Sequence, residues 1–217
     1  MRIYIDSADV AEIREALASG YVYGVTTNPT LLRRAGVRAG EVPNLVRQAI
    51  ELGARELHLQ IYADDQEGIV REAHALAELD PERVVVKIPA TAVGYAAAAR
   101  IAGRGLRVTL TAVYTPRQAI LAHAVGAKYV AVYLGRMRDA GLDALNIVGQ
   151  MQRVLDVQRS AVEILAASVR SPEEIEALAE LGVATATLPL KVLRLLPESD
   201  HTAAAAGTFS EDARAIQ

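Results

Sequence analysis

Val84-Val85-Val86-Lys87-Ile88-Pro89 is the stretch from which the rest of the chain can be read. Its β-branched run has the composition of a strand buried on both faces, as parallel strands covered by helices are. Pro89 has no amide hydrogen to donate and marks the end of the ladder. Lys87 sits just inside that end. An ammonium taken out of water is costly unless it is paired or neutralised. Neutralising it lowers its pKa and exposes the lone pair that Schiff-base formation needs. The chain has three lysines, Lys87, Lys128 and Lys191, against twenty arginines. Lysine is kept here, where arginine could not do amine chemistry. The plain alternative is a lysine whose ammonium snorkels to the strand end.

On either side of this stretch the pattern is strand then helix, repeated. Strands are expected at Arg2 to Ile5, Val22 to Val25, Glu56 to Tyr62, Val84 to Ile88, Arg107 to Val113, Tyr129 to Leu134, Glu163 to Ala167 and Ala184 to Leu188. The main helices are expected at Asp9 to Ser19, Val42 to Leu52, Gln66 to Leu79, Thr91 to Ala102, Pro116 to Ala124 and Asp143 to Val157. Ser171-Pro172-Glu173-Glu174 has the form of a capping box opening a helix to Leu181, and Leu190 to Leu196 is the eighth. Residues 201–217 read as an appended amphipathic helix with Phe209 and Ile216 as candidate anchors. Eight such units predict a (β/α)8 TIM barrel, one domain over 1–217 with 201–217 as a helical extension. A doubly wound sheet would compete, but no Gly-x-Gly-x-x-Gly follows the first strand.

Composition narrows the function. Hydrophobic residues make up 52% of the chain, which argues for a packed globule. A net charge of −3 and a pI near 5.9 leave no basic footprint for nucleic acid. With no cysteine there is no disulfide or thiolate metal site, and His58, His74, His123 and His201 lack zinc-ligand spacing. No metal and no cofactor is expected. Met1-Arg2-Ile3-Tyr4-Ile5-Asp6 reads as a strand rather than a signal peptide, and no apolar run reaches membrane-spanning length. The expected compartment is the cytoplasm, with no membrane partner.

In a barrel, chemistry gathers at the C-terminal ends of the strands. Those ends carry Asp6, Asn28, Gln60, Lys87, Thr111, Tyr133 and Ser168, each polar where a core residue would be cheaper. Singly each has a plain explanation as a turn, cap or strand former. Together they suit an imine mechanism. Lys87 would attack a ketone, Gln60, Thr111 and Tyr133 would hold a water, and Tyr133 would move the proton. Asp6 would orient substrate hydroxyls and offset the imine charge. Arg136, Ser168 and Arg170 fall after strands six and seven, just before the helix that starts near Ser171, and suit a phosphate. Arg33, Arg34 and Arg138 read as ordinary surface arginines.

Ile5-Asp6, Gly24-Val25-Thr26-Thr27-Asn28-Pro29, Val85-Val86-Lys87-Ile88-Pro89, Tyr129 to Arg136 and Leu165-Ala166-Ala167-Ser168 resemble the small transaldolase family, which contains transaldolases and fructose-6-phosphate aldolases. The resemblance runs in order to Leu188-Pro189-Leu190. It implies a barrel, metal-free class I aldol chemistry with the imine on Lys87, and Asp6 as an acid/base or hydroxyl-binding group. It implies Asn28 as a substrate contact, beside which Thr27 is a candidate for substrate binding, and phosphate binding by Arg136 and Ser168. It also implies a homo-oligomer, a pentamer or decamer, with residues 201–217 reaching a neighbour. Transaldolases of this family typically carry Glu at position 60 and Phe at 133, so Gln60, Tyr133 and Ala131 resemble the aldolase branch. Thr109 fits neither branch, and Gly135 stands where the aldolase often has Asn. The first expectation is cleavage of fructose 6-phosphate to dihydroxyacetone and glyceraldehyde 3-phosphate. The alternative is transfer of the dihydroxyacetone unit between sugar phosphates, and a non-catalytic phosphosugar-binding barrel is the third.

Overall fold

The computed structural model of the chain describes residues 1–216. Eight parallel strands close into a barrel in sequence order. They are β1 (Arg2–Asp6), β2 (Val22–Thr26), β3 (Leu57–Gln60), β4 (Val84–Pro89), β5 (Val108–Val113), β6 (Tyr129–Tyr133), β7 (Glu163–Ala167) and β8 (Thr185–Leu188). Around them run α1 (Val10–Ala18), α2 (Pro29–Arg34), α3 (Val42–Glu51), α4 (Gln66–Ala77), α5 (Ala92–Ala102), α6 (Pro116–Ala124), α7 (Leu134–Asp139), α8 (Ala144–Val157), α9 (Pro172–Glu180), α10 (Leu190–Leu193) and α11 (Asp200–Ala215). The expected (β/α)8 barrel with an added C-terminal helix is therefore the fold.

The strands are apolar on both faces because each face has a different layer to fill. Outward residues such as Val84, Val86 and Ile88 join the helices in one large core. Inward residues Tyr4, Val85, Tyr129, Ala131 and Leu165 form a smaller cluster inside the barrel. Lys87 follows Val85 by two and faces inward as well, one layer higher. The small side chains of α5 let it lie close to β4. A Cβ at Gly94 would meet the Pro89 carbonyl oxygen at 2.0 Å, so helix and strand end could not approach this way with any larger residue.

Several boundaries differ from the sequence expectation. The third strand covers only Leu57–Gln60, inside the expected 56–62. The sixth ends at Tyr133, and Leu134, which the sequence reading places in the strand, starts a helix, α7. The eighth helix stops at Leu193 rather than Leu196. The capping box at Ser171 does not form, since that serine makes no cap hydrogen bond. Glu174 instead accepts from the Arg170 amide at 2.7 Å and pairs with Arg138, which holds it away from Ser171. The appended helix begins at Asp200. Of its expected span, residue 217 lies outside the described residues. None of its described side chains is buried, and Phe209 is 70% exposed.

Candidate active site

The C-terminal rim of the barrel surrounds a cavity of about 200 Å³. It is lined by Asp6, Asn28, Lys87, Tyr133, Arg136 and Ser168, together with Thr30, Leu31, Arg34 and Ala167. Lys87 comes from the valine-rich β4 and is buried, at 4% exposure. Its Nζ donates to the Thr27 carbonyl at 2.8 Å, a bond that fixes the side chain's direction. Burial pushes the Lys87 amine down from its ordinary range and Arg136 adds to this, while Asp6 opposes it. Burial pushes the Asp6 carboxyl up, against the pull of Lys87 and of the Thr26 hydroxyl, which donates to it at 2.7 Å. Thr26 is itself 2.7 Å from the Thr187 hydroxyl. A short chain of hydroxyls therefore anchors Asp6 from the β2 and β8 side.

On the opposite wall the Tyr133 hydroxyl lies 3.0 Å from that of Thr111, which is buried behind it and does not itself line the cavity. Burial pushes the Tyr133 phenol up, so it holds its proton. The Arg136 guanidinium lies over the Tyr133 ring, 4.5 Å from its centre. That places a cation above the phenol and at the cavity mouth. Ser168 takes a left-handed backbone, φ 59, which is uncommon for a residue with a side chain. Its carbonyl accepts from the Gly135 amide at 3.1 Å. A Cβ at Gly135 would stand 2.5 Å from that carbonyl oxygen and 2.8 Å from the Ser168 hydroxyl. The glycine at 135 thus lets α7 come right up to Ser168.

Not every expected residue reaches this cavity. Gln60 pairs in register with Lys87, but it lines neighbouring cavities with Tyr62, and no hydrogen bond joins it to Tyr133 or Thr111 among the described residues. Thr27 turns its hydroxyl to the His58 carbonyl at 3.1 Å, so it serves the cavity through its own carbonyl on Lys87. Arg170 points to Asp139, with one arm of the fork at 2.7 Å, because that carboxylate on α7 is within reach. Arg34, which reads from sequence as a surface arginine, does line the cavity. Thr30, Leu31 and Arg34 lie three and four apart on α2 and so share one side. That spacing, downstream of an Asn28 whose Oδ1 caps the helix by accepting from the Leu31 amide at 3.1 Å, is the signal that could have found it.

Beneath the cavity the barrel interior is polar. The Glu56 carboxylate accepts from Tyr4 at 2.9 Å and from Arg107 at 3.0 Å, and lies 3.0 Å from His58 Nε2. His58 Nδ1 is 2.9 Å from the Thr109 hydroxyl. The carboxylate can only accept, so Nε2 carries the proton and Nδ1 accepts from Thr109. Thr109, unexpected for either branch, thereby satisfies a buried imidazole.

The model of the family described as Transaldolase/Fructose-6-phosphate aldolase matches residues 3–217. A probable transaldolase of Heliobacterium modesticaldum is 36% identical over 217 residues, covering 100% of this chain and 99% of that protein. One from a Thermoanaerobacter species is also 36% identical, over 99% of this chain and 97% of its own. Among solved structures, thiamine phosphate pyrophosphorylase from Pyrococcus furiosus superposes with a TM-score of 0.61 at 18% identity, covering 90% of this chain and 93% of that one. That last likeness concerns the fold alone. The family match spans nearly the whole chain and the relatives align end to end: the chain belongs to the transaldolase/fructose-6-phosphate aldolase family.

Proposed function

We propose that the chain is a Schiff-base enzyme that transfers a dihydroxyacetone unit between sugar phosphates, a transaldolase. The observation that carries the chemistry is Lys87, an amine buried at 4% exposure, pushed toward neutrality and facing a carboxyl pushed toward protonation. A neutral amine beside a proton-bearing acid is the state that carbinolamine formation uses. The amine would attack the ketone of a ketose phosphate, and loss of water would leave a protonated imine. That imine would accept the electron pair when the bond beyond the three-carbon unit breaks. The Tyr133–Thr111 hydroxyl pair would supply and recover the proton. Asn28, whose Oδ1 caps α2, would offer its amide to substrate hydroxyls, and Arg136 with Ser168 would take the phosphate. A binding module has no use for a buried amine, which weighs against the non-catalytic reading.

Transfer rather than cleavage leads because the relatives are named probable transaldolases. This reverses the order expected from sequence. Gln60 adds to it, since among the described residues no hydrogen bond joins it to the Thr111–Tyr133 hydroxyl pair. Free cleavage of fructose 6-phosphate is the second reading, favoured by the Tyr133 phenol itself. Fructose 6-phosphate supplied with and without erythrose 4-phosphate separates the two. Strict dependence of aldehyde release on the acceptor is expected, and equal release without it would establish the lyase. Borohydride with dihydroxyacetone should fix an adduct on Lys87, and Lys87→Arg should abolish it. An undiminished adduct in that variant would refute the imine. Activity should survive EDTA.

The reading extends to a cytoplasmic homo-oligomer, a pentamer or decamer, in which α11 lies on a neighbouring copy. Its support is a helix with no buried described side chain and an exposed Phe209. Sedimentation velocity of the full chain and of one ending at Pro197 should differ in subunit number.

A further inference from the structure

Along a regular strand, alternate residues face the same side. In β5, Val108 and Leu110 join the outer core, while Thr109 and Thr111 point into the barrel, to His58 and Tyr133. Continued alternation would turn Val113 inward as well. Val113 belongs instead to the outer core with Leu110. Pairing with β6 supplies the reason. Leu110 stands opposite Val130 and Val113 opposite Val132, three steps on β5 against two on β6. One residue is extra, as in a β-bulge. Ala112 carries the bend, at φ 59, a left-handed backbone that residues with a side chain seldom take.

The extra residue changes what meets Tyr133. Thr111 and Tyr114 are three apart, so in an unbroken strand they would point to opposite sides. Around Ala112 both reach Tyr133. The Thr111 hydroxyl lies 3.0 Å from the phenol oxygen, and the Tyr114 ring stands edge-on to the Tyr133 ring, centres 6.0 Å apart. Each of the two is anchored from elsewhere. The Thr111 carbonyl accepts from the Ala90 amide at 2.9 Å, directly after the strand that carries Lys87. The Tyr114 amide donates to the Gln118 side chain at 2.8 Å. Among the described residues, the Thr111 hydroxyl is the hydrogen-bond partner of the Tyr133 phenol.

We infer that Ala112 is a positioning residue of the reaction: its left-handed bulge aims Thr111 and Tyr114 at Tyr133 and so fixes where the phenol delivers its proton. The inference rests on the Schiff-base reading above, in which Tyr133 moves that proton. A β-branched residue is a poor fit to the left-handed backbone. It would favour the extended form at 112 and draw Thr111 away from the phenol.

Transfer from fructose 6-phosphate to erythrose 4-phosphate, assayed in Ala112→Gly and Ala112→Val, tests this. Glycine takes a left-handed backbone freely, so Ala112→Gly should keep kcat within about threefold. Ala112→Val should lower kcat ~30-fold, as a displaced general acid would, with KM moved by less than about threefold. The same change is then made in a Tyr133→Phe background. There it should lower kcat by less than about twofold, because the group it positions is gone. If Ala112→Val does not fold, Ala112→Leu, unbranched at Cβ, carries the same comparison at lower strain. Crystal structures of the variants read the geometry without any aldol chemistry. The Thr111–Tyr133 hydroxyl distance should open beyond about 3.5 Å in Ala112→Val and stay within it in Ala112→Gly. The inference is overturned if the valine variant loses equally in both backgrounds, if the glycine variant loses as much as the valine, or if the hydroxyl pair is intact in Ala112→Val. Should the wild type form no borohydride adduct, the Schiff-base reading fails, while the crystallographic comparison still decides whether Ala112 places Tyr133.

Discussion

Lys87 sets stability against chemistry at a single position. An ammonium there is desolvated and meets one carbonyl, that of Thr27, at 2.8 Å. Replacing it with an apolar chain of similar length removes the penalty of holding a charge in the barrel. Lys87→Met should therefore be more stable than the wild type, by ~1–2 kcal/mol, while making no adduct. A calorimetric melting temperature higher by ~2–8 °C would show it, and a lower one would mean that Lys87 is structural. The lysine is legible in sequence because Lys is rare in this chain and a Val-Val-Val-Lys run marks a buried strand. Arg34 and Arg170 are not, since which arginine finds a carboxylate depends on tertiary neighbours such as Asp139. Gln60 shows a related difficulty. Its place at a strand end can be counted off, but the cavity it faces cannot.

At the level of elements, α7 is where sequence and structure part most. Tyr129 to Leu134 is uniformly apolar or aromatic, and a short apolar run gives no sign of where strand passes into helix. The chain turns because α7 docks against the left-handed Ser168, and only glycine at 135 leaves space for that contact. Gly135→Asn should drive a Cβ into the Ser168 carbonyl and cost ~1–3 kcal/mol, measured as a fall in the urea midpoint. On the proposed role of Ser168, phosphate binding should weaken as well. An unchanged midpoint would show that the turn yields freely. The β5 strand carries a second irregularity, with Ala112 at φ 59 and the register shifting between Leu110 and Val113. This bulge lies directly after Thr111, the partner of Tyr133. Nothing in the local sequence Leu110-Thr111-Ala112-Val113 announces it, since each residue is at home in a strand.

Across the whole molecule, the strand count and closure follow from periodicity and loop length, whereas the polar floor of the barrel does not. That floor makes stability depend on pH. Burial opposes ionisation of Glu56, but hydrogen bonds from His58 and Tyr4 prevail and hold its carboxyl at about 2. Burial pushes His58 below its ordinary 6.5. Both groups bind fewer protons folded than unfolded, so stability rises with pH wherever they titrate. The His58 contribution is present above 6.5 and declines as pH falls below it. The Glu56 contribution is present above 4.5, is lost as pH falls toward about 2, and amounts to roughly 3 kcal/mol. Below neutrality urea midpoints should fall in two acid steps, and Glu56→Gln should remove the lower one. A single step persisting below about pH 4 in that variant would reassign it to other carboxylates.

The bare α11 has a consequence for how assembly can be followed. A lone helix of 16 residues is marginal in water, and this one has a glycine, Gly207, in its middle. Without a covering surface its amides would exchange with solvent deuterium within seconds, far faster than those of β4. Slow exchange confined to residues 200–215 would therefore time the arrival of a neighbouring copy, and dilution would restore the fast rate. Were copies to associate through α11 as proposed, exchange at residues 200–215 would time that event separately from anything that happens at Lys87.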